Sequence, residues 1–236
     1  MSHATGVVAH IDRAETACHL IETVHAIHAR IDDGTIGCEA NHRRVWEGVH
    51  AWATHCGHAW CVVLEDDAVP VPGFNGHLTA ALAHAPSPIV SLYLGKGRPG
   101  HAQRPIRNLV DAGTDTPWIT APTLLHAVGV AIRTEHVPAM LDHIAQPPAV
   151  FEPIDQAIGH WARHGVRQPV AYTWPSLVNH ADGPTVIDTH PDGKPRDTWV
   201  GDDGRVIVQR RVAWRAGTRT RWTSDHTALV LPDALG

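Results

Sequence analysis

The sequence predicts an α/β sandwich built from alternating strands and helices. Three observations carry that expectation. Short apolar runs bounded by turn residues recur between stretches of helical periodicity, one such run is apolar at every position, and no internal repeat competes with the pattern. The chain has 236 residues, 43% hydrophobic and 18% charged, long enough for one substantial core and too apolar for a disordered chain. Its formal charge is −5. No apolar run approaches the roughly 18 residues of a membrane helix. The opening residues lack the basic and apolar stretches of a signal peptide, and four cysteines are too few for a disulfide scaffold. A cytoplasmic protein with no membrane insertion is therefore expected.

Residues 5–11 (T-G-V-V-A-H-I) form an apolar run closing on Asp12-Arg13 and read as the opening strand. Leu20, Val24, Ile27 and Ile31 recur at helical spacing, which predicts a helix over 14–31, stopped by Asp32-Asp33-Gly34. Val45, Trp46, Val49, Trp52 and Ala53 predict a helix over 41–56, with Gly57 as its stop. Residues 60–64 (W-C-V-V-L) are too short for a helix and too uniformly apolar for a half-exposed strand, so they read as a strand buried on both faces. A helix over 75–84, a strand over 89–94, a Gly/Pro/Arg-rich loop over 95–105, and strands near 118–120 and 127–132 follow. Thr134 is the expected cap of a helix reaching Ile144, since Pro138 costs little in a first turn. Pro153 suits the first position of another helix. Glu152 is then its cap, Asp155 lies in its first turn, Ile154, Ile158 and Trp161 form the buried stripe, and Gly165 ends it. Residues 181–204 are turn-rich, and 206–214 read as a strand of a terminal hairpin.

The sharpest chemical feature is Glu65-Asp66-Asp67 at the end of the buried strand. Adjacent carboxylates repel and resist desolvation, so they call for a compensating positive charge unless they simply face water in a turn. In open α/β sheets ligands collect beyond the carboxyl ends of strands. A divalent cation held by one or two carboxylates and substrate phosphates suits that place.

The segment W-C-V-V-L-E-D-D-A-V-P-V-P-G-F (residues 60–74) resembles the core signature of glycosyltransferase family 25, the lipopolysaccharide-biosynthesis type of GT-A glycosyltransferase. Further pieces follow in that family's order. His10-Ile11-Asp12-Arg13 stands in place of its first-strand N-L-x-R segment. Gly37-Cys38-Glu39-Ala40-Asn41-His42 resembles its G-x-x-x-S-H, with Asn41 for Ser. Residues 90–95 resemble its next strand, 128–132 its a-Y-x-I-S unit without the Tyr, and Pro153-Ile154-Asp155-Gln156 its P-x-D element. Ser176-Leu177-Val178-Asn179-His180 falls where a late strand closes the site. The likeness spans about residues 5–187.

This resemblance implies a GT-A-like sandwich with a mostly parallel central sheet over residues 1–187. A basic, aromatic extension with a small β-hairpin would follow over 188–236. It also implies sugar transfer from a UDP-sugar, assisted by Mn²⁺ or Mg²⁺. By the same analogy Asp67 and His180 are metal ligands, and Glu65 and Asp66 contact the ribose or support the metal. His10, Asp12 and Arg13 border the nucleotide. Asp155 is the general base, with Glu152 as its substitute, and a first-turn position favours its ionised form. Lys96 and Arg98 sit in a loop that could face donor or acceptor.

The acceptor implied is a hydroxyl on a glycan or protein. Residues 205–221 add six arginines and no acid, interleaved with Trp214 and Trp222. Arginines with aromatics suit a nucleic-acid surface. That pattern makes Arg210, Arg211, Trp214 and Arg215 candidates for contacts with acceptor or nucleic acid, and a hydroxymethylated base in DNA an alternative acceptor, as for some phage-encoded sugar transferases. A metal-dependent phosphohydrolase or nuclease using Glu65, Asp66 and Asp67 is a further alternative, as is a non-catalytic binding module. His55-Cys56-x-His58-x-x-Cys61, with Cys38 and His42 upstream, lacks the separated pairs of structural zinc, so Cys61 is expected in the core. P-loop, dinucleotide-binding and G-x-S-x-G motifs are absent. Oligomeric state is left open.

Overall fold

The computed structural model describes residues 2–181, 199–200, 206–207 and 211–231. The elements run β1 (His3–His10), α1 (Ala14–Val24), β2 (His28–Asp32), α2 (Cys38–Cys56), β3 (Trp60–Glu65), β4 (Ala68–Pro70), α3 (Phe74–Leu82), β5 (Ile89–Ser91) and α4 (Gly100–Asp111). They continue with β6 (Trp118–Ala121), β7 (Gly129–Arg133), α5 (Val137–Ile144), α6 (Ile154–His160), β8 (Val170–Thr173), β9 (Val178–His180), β10 (Trp199–Val200), β11 (Val206–Ile207) and β12 (His226–Ala228). Eight strands form one sheet in the order β12-β6-β8-β5-β7-β3-β1-β2. Strands β2, β1, β3, β5 and β8 share one direction and β7, β6 and β12 run against them, so the sheet is mostly parallel. The pairs β4-β9 and β10-β11 make two small antiparallel sheets.

Alternation along the central strands divides the core into two layers. Val7, Trp60, Val62 and Leu64 pack with Leu20 and Val24 of α1 and Phe74, Leu78 and Leu82 of α3. Ala4, Val8, Cys61 and Val63 face the opposite way, onto Val45, Trp46 and Val49 of α2, Met140 of α5 and Ile158 of α6. With helices on both faces, β3 is buried through Leu64, as its unbroken apolar run requires. Helix α2 stops at Gly57, whose φ of 71° closes the last turn.

Several expected boundaries move. The helix over 14–31 ends at Val24 because His25 takes a left-handed conformation (φ 53°). Ile27 N–H then bonds Thr5 O at 2.9 Å, and β2 pairs beside β1 as an edge strand, leaving Ile27 and Ile31 exposed. The loop expected over 95–105 contains the start of α4, whose Ala102 and Ile106 are buried; Pro105 sits inside it at the cost of one helical hydrogen bond. Thr134 does not cap α5: its hydroxyl donates to His58 O at 2.7 Å, tying the end of β7 to the turn before β3. Pro153, not Glu152, holds the cap position of α6. That helix runs on through π-helical turns at Trp161–Val166, and Arg167 (φ 55°), not Gly165, ends it.

Of the strand expected over 206–214, only β11 and the run 211–214 lie within the described residues. That run returns to the body of the protein, pairing Ala213 with Gly95, and β12 joins the edge of the central sheet beside β6. Asp182-Gly183, Asp192-Gly193, Asp203-Gly204 and Arg205 lie outside the described residues. No helix among the described residues is long and apolar enough to cross a membrane.

Candidate active site

The acidic block lies at the carboxyl end of β3, beside the carboxyl end of β1, and its side chains turn inward. His10 N–H donates to Asp66 Oδ2 at 2.8 Å. Arg13, one short turn after β1, places Nη1 2.9 Å from Asp66 Oδ1 and 2.7 Å from Asp67 Oδ2. The compensating positive charge demanded by adjacent buried acids is thus supplied first by the chain itself. Ladder pairing of β4 with β9 sets Ala68 opposite His180, which brings His180 Nε2 to 3.3 Å from Asp67 Oδ2. Burial pushes the Asp66 carboxyl above its usual range in spite of the His10 and Arg13 contacts. Burial also works against charge on Asp67, but His180 and Arg13 outweigh it and hold this carboxyl below 3.8.

The third acid faces a different partner. His42, in the second turn of α2 and wholly buried, donates from Nε2 to Glu65 Oε1 at 3.1 Å. Burial disfavours the imidazolium, yet contacts with Cys38 and Glu65 prevail and hold it well above 6.5. Asp155 lies within electrostatic reach of this pair, and its carboxyl is pushed up to about 6 by burial and then by Glu65. The start of α6 therefore does not favour ionisation of Asp155 as its position alone suggests. Gln156 N–H donates to its Oδ1 at 2.9 Å, but burial and then the repulsion of Glu65 outweigh the backbone hydrogen bonds.

Other expected residues are less involved. Asp12 points to solvent, its side chain 70% exposed, with His10 Nδ1 at 3.4 Å. Among the described residues no hydrogen bond or ion pair joins the Glu152 side chain to the acidic block. Arg210 lies outside the described residues. Arg211 O accepts from the Tyr93 hydroxyl, and the Tyr93 ring lies 5.1 Å from that of His126 and 6.2 Å from that of His180. Trp214 N–H bonds Leu94 O at 2.9 Å, and its ring lies beneath Lys96 Nζ (5.4 Å) and the Arg107 guanidinium (5.9 Å). Arg215 is exposed, while Arg98 O accepts from His126 Nε2 at 2.9 Å. The His/Cys run does not converge: Cys61 is in the core, its thiol pushed up to about 11 by burial, while Cys56 is exposed. His42, to which the sequence pattern assigns no role, is the counter-charge to Glu65. Its signal is its position four residues into a helix facing the strand that carries the acids.

A divalent cation fits what is present. Asp67 Oδ1 and His180 Nδ1 are buried without a hydrogen-bond partner, a carboxylate oxygen and an imidazole nitrogen of the kinds that divalent cations take. Asp67 and His180 would be the protein ligands, with the remaining positions left to phosphate oxygens and water.

No family model and no curated protein matches the chain. Among solved structures it is similar to a glycosyltransferase involved in glycosylation of the major capsid of PBCV-1, at 12% identity and a TM-score of 0.41, over 77% of this chain and 94% of that one. It is also similar to A197 from STIV, at 10% identity and a TM-score of 0.41, over 91% and 98% of the two chains. A third likeness is to mannose-1-phosphate geranyltransferase from Thermus thermophilus, at 10% identity and a TM-score of 0.35, over 73% and 74%. At these values the likenesses add no weight to any functional reading. The geometry of the acids and histidines has to carry it.

Proposed function

We propose that the chain is a divalent-cation-dependent glycosyltransferase that moves a hexose from a UDP-sugar to an acceptor hydroxyl on a glycan or protein. The observation that carries this reading is the set of acids after β3, where Asp67 pairs with His180 and a carboxyl of pKa about 6, Asp155, stands beside the pair of Glu65 and His42. Asp67 and His180 would hold the cation, which when bound stabilises the charge growing on a departing diphosphate. Asp155 accepts the acceptor hydroxyl proton as that oxygen bonds the anomeric carbon and the bond to the diphosphate breaks. A carboxyl near 6 is mostly ionised at neutral pH yet more basic than an ordinary one, as a general base requires. Arg13 and the His10 backbone N–H keep Asp66 and Asp67 fixed, which holds the edge of the nucleotide site in shape.

The test is incubation with a panel of UDP-sugars and Mn²⁺, following UDP release. Slow release, enhanced by an acceptor and lost in Asp155→Asn with donor binding retained, is expected. Phosphodiester cleavage without sugar transfer would replace this reading by a hydrolase.

One observation favours a second acceptor, a hydroxymethylated base in DNA. Trp214, under two cations, is joined through the neighbouring Ala213 N–H (2.8 Å to Asn179 Oδ1) to the residue beside His180. Two cations held over one indole suit contact with backbone phosphate. Trp214→Ala should then weaken duplex DNA binding severalfold while leaving UDP release unchanged; unaltered DNA binding returns the acceptor to the glycan or protein class.

A further inference from the structure

Where the run 211–214 returns to the body of the protein it lies against the loop after β5, and one side chain of α4 fastens the two together. Gln103 Oε1 accepts from Gly97 N–H at 2.9 Å and from the Trp214 indole N–H at 3.2 Å. Its Nε2 donates to Arg98 O at 2.8 Å and to Gly95 O at 3.2 Å. Two N–H groups face the oxygen and two carbonyls face the nitrogen, so the amide is fully used and its orientation is fixed. Over the indole stand Lys96 Nζ, 5.4 Å from the ring centroid, and the Arg107 guanidinium, 5.9 Å from it. We propose that Lys96 and Arg107 form a two-point clamp for the backbone phosphates of duplex DNA, and that Gln103 is the positioning residue that holds the clamp in shape. The clamp rests on the DNA acceptor proposed above.

Both cations are exposed, and among the described residues no carboxylate pairs with either. Attraction to the face of an indole leaves their N–H donors unspent, so phosphate oxygens can still receive them. The protein carries a formal charge of −5, and a polyanion is repelled unless a local group of cations meets it. What makes these two a unit is the scaffold under them. Lys96 N–H bonds Val212 O at 2.9 Å, and the loop turns at Gly97, whose φ of 87° suits glycine. Arg107 follows Gln103 by one helical turn on α4, so the two lie on the same side of that helix. His126 Nε2 donates to Arg98 O at 2.9 Å, a second tie on the loop. The Ala213 N–H bond to Asn179 Oδ1 joins the whole to the residue beside His180. Without Gln103, the indole and the loop lose the one side chain that bonds both, and the two cations would have to be ordered again each time DNA binds. Gln103 acts through Lys96 and Arg107.

The experiment uses the full chain and a fluorescent DNA duplex, with binding followed by anisotropy over a range of KCl. The slope of log affinity against log salt should fall by about one in Lys96→Gln and by about one in Arg107→Gln. Gln103→Met, of similar length but without hydrogen-bonding groups, should weaken binding roughly fivefold and flatten the same slope. Damage to the fold would lower the binding-competent fraction and leave the slope in place, which separates positioning from loss of structure. In a chain that already carries Lys96→Gln and Arg107→Gln, Gln103→Met should cost nothing further, because the groups it positions are gone. Unaltered affinity and slope in Gln103→Met, or a full additional cost in the triple variant, overturns the role of Gln103. Slopes that stay the same in Lys96→Gln and Arg107→Gln overturn the clamp. An unaltered protein that binds no duplex overturns this inference together with the DNA acceptor, while UDP release still tests the transferase by itself.

Discussion

Replacing Arg13 by Met should unmask what the acidic block costs. The guanidinium is 16% exposed, and the Asp66 and Asp67 side chains are 7% and 12% exposed, so solvent screens these pairs weakly. At an effective dielectric of ~20, charges at these separations attract by roughly 6 kcal/mol per pair before desolvation is counted. Removing one partner of a buried pair leaves a net cost of ~3–5 kcal/mol. The lower end applies here because His10 N–H and His180 still serve the two acids. For a chain of this size ~3 kcal/mol lowers the melting midpoint by roughly 6–12 °C. The pH dependence has a definite sign. In the variant Asp66, already raised by burial, rises further and Asp67 loses part of what holds it down, so the folded state binds more protons than that of the unaltered protein and the deficit grows as pH increases. The deficit should be full at pH 7 and shrink toward pH 5. Urea unfolding at both values, in chelator, checks it. A deficit under ~1 kcal/mol, or one unchanged between pH 5 and 7, would refute Arg13 as the resident counter-charge.

Three further outcomes follow from the same geometry. Because Glu65 raises Asp155 and His42 opposes that rise, the acidic limb of the activity profile, expected near pH 6, should move down in Glu65→Gln and up in His42→Gln; shifts of the same sign would detach Asp155 from this pair. His42→Gln should also lower stability by ~3 kcal/mol, measured by denaturant unfolding, since it leaves Glu65 without its buried partner. Gly6→Ala would set a Cβ against Val49 Cγ2 and 2.9 Å from Val45 Cγ1, costing ~1–3 kcal/mol by overpacking; Val49→Ala in the same chain should return most of it.

How far the sequence foretells this molecule depends on how local each signal is. Strand β3 is legible because W-C-V-V-L is apolar throughout, and α2 because its stripe and Gly57 stop are both local. The helix over 14–31 is overextended because its true stop is His25, a residue with no helix-ending signature, and because Ile27 and Ile31 continue the helical spacing by accident on an edge strand. Helix α4 is hidden by Pro99, Gly100 and Pro105, whose composition says loop although two apolar residues, Ala102 and Ile106, are enough to dock it. At the site, the acids are evident because three of them end an apolar strand. Their partners are not: Arg13 lies 53 residues from Asp66 and His42 lies 23 from Glu65, and no local pattern reports such pairs.

The charge arrangement of the site makes a last prediction about metal dependence. Glu65, Asp66 and Asp67 follow one another at the end of β3 and Asp155 lies beside Glu65; the cations held against them are Arg13 and protonated His42. Arg13 is already committed to two carboxylates, and His42 lies wholly buried against Glu65, so neither is placed to receive a nucleoside diphosphate. An incoming dianion would meet an acidic rim, and its approach is unfavourable unless a further positive charge comes with it. The unpartnered Asp67 Oδ1 is where that charge has a carboxylate oxygen to bind, since Arg13 holds the other oxygen, Oδ2. UDP should therefore bind at least tenfold more weakly in chelator than in Mn²⁺, and Asp67→Asn should erase the difference, as read by calorimetry. UDP binding that is equally tight in chelator would mean that the acidic edge is neutralised by the chain alone, and would leave His180 beside Asp67 as an ordinary hydrogen-bonding pair.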